Sequence, residues 1–70
     1  MNYEEVTTYL KDKNIRPFKL VKFRYDNEVY EFLGLTQESV SATLLAVIKP
    51  LGNSNTWKLA TTHFSNIEAL

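Results

Sequence analysis

No cysteine occurs among the 70 residues, so neither a disulfide nor a thiolate-bound metal can staple the fold. Glycine appears only at Gly34 and Gly52, which excludes a glycine-rich phosphate cradle. A serine nucleophile elbow is absent as well. Net charge is zero, with eight Lys and Arg against eight Asp and Glu, whereas a dedicated nucleic-acid domain usually has a pI above ~9. Long apolar runs are missing: the longest, Leu44 to Ile48, falls far short of the ~20 residues that cross a bilayer. Residues 1–15 carry Glu4, Glu5 and Asp12 where a secretory leader needs an apolar stretch. A soluble, cytoplasmic protein is the expectation.

What is present is a globular composition. Hydrophobic residues make up 44% and the aromatics are four Phe, four Tyr and Trp57, values that exclude a disordered chain. A chain of this length makes a single small domain, residues 1–70, and hides only about 60% of its unfolded surface. Its stability should be roughly 4–10 kcal/mol. Small domains without covalent staples often gain stability from a partner chain, so a homo-oligomer is expected.

Charge is unevenly placed along the chain. Residues 11–24 hold Lys11, Lys13, Arg16, Lys19, Lys22 and Arg24 against Asp12 alone, a net of +5. Residues 26–38 hold Asp26, Glu28, Glu31 and Glu38 and no cation, a net of −4.

Residues 2–13 read as a helix. Asn2 is a good cap, Glu5 takes the reciprocal capping-box position, and Tyr3, Val6 and Leu10 form one apolar stripe. Lys11 and Lys13 suit the negative end of the helix dipole, and Asn14 is a reasonable stop. Pro17 then holds Arg16 extended.

Residues 18–25 and 28–36 read as a hairpin around Asp26-Asn27, two residues that tolerate positive φ. A two-residue loop sets Phe23 opposite Tyr30, Lys22 opposite Glu31 and Val21 opposite Phe32, and gathers Val21, Phe23, Tyr25, Tyr30 and Phe32 on one face. Cations and rings alternate through KLVKFRY, but a strand sends alternate side chains to opposite faces. Base stacking needs rings exposed beside cations, so a core reading of these aromatics is preferred.

Residues 37–49 fit either a helix or a buried strand. A strand over 41–49, paired with another over 56–62 across the loop from Pro50 to Asn55, makes better local sense. A terminal turn over 65–70 brings Ile67 and Leu70 back to the core. The sum is an α+β fold, a short helix followed by a four- to five-stranded antiparallel meander. At the level of fold, it looks like a small SH3-like barrel.

Chemistry is scarce. His63 is the lone histidine, with Thr62, Ser65 and Glu68 near in sequence. General-base work needs an orienting carboxylate and a nucleophile held in place, and a structural histidine is the preferred reading. Asp26, Asn27, Glu28 and Glu31 are the densest acidic stretch but lack the spacing of a calcium loop. No enzyme activity, cofactor or metal is expected. The leading reading is a small non-enzymatic module that acts through protein–protein contacts. Its candidate binding residues are Tyr9, Lys11, Lys13, Arg16 and Lys19, with Trp57 as a further anchor because Trp, Tyr and Arg dominate binding hot spots. No membrane partner is expected. The alternative is a nucleic-acid-binding small barrel that uses the basic cluster at 11–24 to track phosphates.

Overall fold

A computed structural model describes residues 2–51 and 59–70 of the chain. The first helix, α1 (Tyr3–Asp12), begins with the expected reciprocal cap. Asn2 Oδ1 accepts the Glu5 N–H at 2.8 Å, and the Asn2 N–H donates to Glu5 Oε1 at 3.3 Å. Lys13 is the C-cap, and Asn14 follows it with a left-handed φ of 62°. The Asn14 N–H donates to the Lys11 carbonyl at 3.0 Å and the Ile15 N–H to the Leu10 carbonyl at 2.8 Å. These paired bonds define a left-handed C-terminal cap, and its usual apolar contact follows, because Leu10 and Ile15 are both buried in the core.

The apolar stripe of α1 differs from the one expected. Val6 and Leu10 are buried, but the third member is Tyr9, which packs half-buried against the core, while Tyr3 is 65% exposed. Tyr3 and Tyr9 stand three residues either side of Val6, each about 60° from it on the helical wheel. The fold buries the second and leaves the first outside.

Five strands follow: β1 (Leu20–Phe23), β2 (Val29–Gln37), β3 (Leu44–Pro50), β4 (Ala60–His63) and β5 (Ile67–Ala69). All pairings are antiparallel, and the order across the sheet is β4-β3-β2-β1-β5. The stretch over 37–49 is therefore strand from Leu44, and residues 38–43 form the connecting turn rather than strand. The terminal segment is a 3-10 turn (Phe64–Asn66) followed by β5, where a turn alone was expected. Of the fourth expected strand, residues 56–58 lie outside the described residues.

The pairing pattern is open, yet the sheet has to curl. Its edges, β4 and β5, are joined by only the three residues Phe64–Asn66. Four chain steps reach at most about 14 Å, whereas the outer strands of a flat five-stranded sheet lie about 19 Å apart. The concave side holds the core: Val6, Leu10 and Ile15 meet Val21, Phe32, Ala46, Ile48, Phe64 and Ile67.

The β1–β2 register is two residues off the expected one. Val21 faces Tyr30 and Lys22 faces Val29, so Lys22 and Glu31 are not opposed. The reversal takes a four-residue loop, residues 24–27, closed by the Phe23 N–H on the Glu28 carbonyl at 3.0 Å, with Asn27 at φ 58°. A shift of two keeps every side chain on its face. Phe32 is accordingly 2% exposed, and Phe23 and Tyr30 pack against the core with their rings edge-on at 5.6 Å. Tyr25, drawn into the wider loop, is exposed, as is Leu70. Among the described residues no helix is long and apolar enough to cross a membrane.

Candidate functional site

The link between α1 and β1 is a tight turn with an unexpected occupant. The Lys19 N–H donates to the Arg16 carbonyl at 3.0 Å, which closes residues 16–19. Pro17 takes the second position, for which its locked φ is suited, and Phe18 takes the third at φ 69°. That is the pattern of a type II turn, whose third position normally requires Gly or Asn. Phe18 donates its N–H to the Phe32 carbonyl at 2.6 Å, and Phe32 donates to the Lys19 carbonyl at 2.9 Å. Two residues thus oppose one, a bulge whose left-handed first position is also usually Gly. The Phe18 side chain is 74% exposed.

Beside this turn, α1 and the middle of β2 stand apart and leave a groove of about 360 Å³. Leu10, Ile15, Pro17 and Leu35 supply apolar walls, Tyr3 lines it from the first turn of α1, and Lys11 and Arg16 bring positive charge. Gly34 lies along it where the β2–β3 ladder slips between Phe32 and Gly34, and its φ of 146° is one that side-chain-bearing residues rarely adopt. A left-handed helix cap, a Pro turn and a bulge in β2 border the groove, which itself forms where α1 packs beside β2.

The structure divides the expected basic cluster. Lys11 and Arg16 come together on the groove. Lys13 sits elsewhere on α1, its Nζ 5.7 Å from the centre of the Tyr9 ring, within cation–π range. Lys22 lies on the convex face of the sheet, flanked by Val29 and Glu68. Arg24 belongs to the hairpin loop that also carries Asp26. Glu31 stands opposite Lys49. Lys19 is exposed at the end of the turn. Lys22 and Arg24 thus stand beside acids, while Lys11 and Arg16 line the groove.

Tyr9 is no exposed anchor, since its ring meets Phe64 edge-on at 5.3 Å. Trp57 lies outside the described residues. Tyr3 and Phe18, neither of them in the expected set, are exposed aromatics. Pro17 did signal a turn, but nothing local marks Phe18 as its left-handed residue.

His63 caps the 3-10 turn. Its Nδ1 accepts the Ser65 N–H at 3.2 Å and lies 2.7 Å from Ser65 Oγ, and the imidazole stacks on Phe64 at 4.2 Å. The Ser65 N–H can only donate, so Nδ1 is the acceptor of that bond. The hydroxyl residues Ser41 and Thr43 line a cleft together with His63. Ser41 Oγ in turn donates to Glu38 Oε2 at 2.9 Å. Among the described residues no three His, Cys, Asp or Glu side chains group so as to hold a metal ion.

Compared with protein-family models, with curated proteins and with solved structures, the chain gives no match. Its function is accordingly argued from the site alone.

Proposed function

We propose that the chain is a small non-enzymatic interaction module that holds an apolar, acid-bearing segment of another protein in the groove between α1 and β2. The supporting observation is the lining itself: Leu10, Ile15, Pro17 and Leu35 offer apolar contact beside the two cations Lys11 and Arg16. Pockets of this kind combine mainly apolar walls with a few charges that set orientation. Such cations complement a carboxylate on the partner and suppress basic ones. The scaffold fits the role of a small SH3-like barrel, a reading supported by β5 lying beside β1 and by the 3-10 turn that joins the two sheet edges.

Selection from a random-peptide display library tests this reading. Enriched peptides should combine apolar residues with Asp or Glu, and Arg16→Glu or Leu35→Glu should weaken their binding about tenfold or more. Peptides indifferent to both substitutions overturn it. So does a homo-oligomer that Arg16→Glu dissolves, because the occupant is then a second copy. Salt-dependent binding of mixed-sequence RNA or DNA that Lys11→Glu and Arg16→Glu abolish would assign the cations to phosphates instead.

A further inference from the structure

We infer that Phe18 is the pre-set anchor of that interaction, a ring held out by a strained turn so that an apolar side chain of the bound segment packs on it. The inference rests on the groove reading above, and it adds a residue that the groove itself does not include. Phe18 fills a position that two separate motifs assign to glycine, the third residue of a type II turn and the first residue of a bulge. A left-handed conformation costs an ordinary side chain about 1–2 kcal/mol. Burial offers no compensation, because the ring is 74% exposed. Strain of this sort persists where the surroundings over-determine it, and it clusters at ligand clamps.

The turn also restricts where the ring stands. Pro17 locks one φ, the Arg16 carbonyl is bonded to the Lys19 N–H, and Phe18 is tied to β2 through its own N–H. The backbone under the ring is therefore ordered before anything binds. An aromatic presented in this way loses little entropy on binding, which is the advantage of pre-organisation. Arg16 and Pro17, the two residues before it, are groove residues. A segment whose carboxylate meets Arg16 thus has the Phe18 turn as its immediate neighbour.

The test uses the full chain and two substitutions that separate strain from contact. The probe is a fluorescein-labelled synthetic copy of the best-enriched display peptide whose binding Arg16→Glu weakens. Phe18→Gly should raise Tm by a few degrees, because glycine relieves the backbone, and should weaken binding about tenfold or more. Phe18→Ala should weaken binding equally without raising Tm, since alanine keeps the strain and loses the ring. Unchanged affinity in both variants overturns the inference and leaves the groove reading standing. A fall in Tm for Phe18→Gly overturns the strain argument. Failure to find any peptide sensitive to Arg16→Glu removes the groove reading and this inference with it.

Discussion

Tyr30 donates its phenolic hydrogen to Asp26 Oδ2 at 2.5 Å, so the second hairpin strand clasps the loop that precedes it. The same carboxylate accepts the Glu28 N–H through Oδ1 at 2.9 Å. One aspartate thus ties the loop to the start of β2 through both of its oxygens.

The clasp makes stability depend on alkaline pH. The Tyr30 pKa lies above its ordinary 10.0, first because the hydroxyl donates to Asp26, then through burial and the negative charges of Asp26 and Glu28. A raised folded-state value means that the native chain holds this proton more tightly than the unfolded chain. The resulting stability is complete below pH 10 and disappears as pH climbs through the raised value. Urea titrations across this range should show a fall above pH 10 that Tyr30→Phe reduces. At neutral pH the same substitution should cost no more than about 1 kcal/mol, because the bond is open to solvent. Identical alkaline slopes in the two proteins would contradict the assignment.

Phe32→Ala should be close to lethal for the fold. The ring is 2% exposed at the centre of β2, among Val21, Ile48 and the α1 residues Val6 and Leu10. Truncating a buried Phe costs about 3–5 kcal/mol, against an expected total of roughly 4–10 kcal/mol. A denaturant midpoint within error of the parent would refute this placement of the core.

Two backbone positions should respond with opposite signs. Gly34 has φ 146° but open space where a Cβ would sit, so Gly34→Ala meets no clash. It should still lose roughly 1–3 kcal/mol from backbone strain alone. Ala42 sits at φ 58° in the turn between β2 and β3, where its N–H bonds to the Glu38 carbonyl at 2.8 Å. Ala42→Gly should gain about 0.5–1 kcal/mol by removing the left-handed penalty. Paired thermal melts decide both, and a destabilised Ala42→Gly would count against the turn geometry.

Asn2→Ala removes one half of the reciprocal cap and exposes the Glu5 N–H. The expected loss is about 1 kcal/mol. Asn2→Ser or Asn2→Asp should restore most of it, which separates capping from a general effect at the start of the helix. A stability unchanged in Asn2→Ala would mean that α1 is held by packing alone.

Much of this architecture was legible locally. The α1 boundaries follow from Asn2, Glu5 and Asn14, whose hydrogen bonds form within a few residues. The face assignment of Val21, Phe23, Tyr30 and Phe32 survived a two-residue register error because alternation preserves parity. Less local features were harder to read. The β5 strand depends on pairing Ile67 with Phe23 and Ala69 with Val21, partners from the far end of the chain. No short window of sequence contains that information. Leu70 is apolar and expected inside, yet it falls one residue past the end of β5 and is exposed.

The candidate site shows the same division. Lys11 and Arg16 could be named in advance as cations, but not as residues of one groove, since only the packing of α1 beside β2 creates it. Lys22 and Arg24 belonged to the same run and were carried away from it by strand pairing and the hairpin loop.

By itself, then, the chain's local chemistry determined where the helix starts and stops, that the central strands alternate, and which face of the hairpin turns inward. Hydrogen bonds and side-chain periods a few residues long are sufficient for those outcomes. Tertiary structure decided which of Tyr3 and Tyr9 was buried, which cations shared a surface, and that Phe18 was held out in a left-handed turn. Each of these depends on contacts between segments distant in sequence, and their geometry exists only once the sheet has curled around α1.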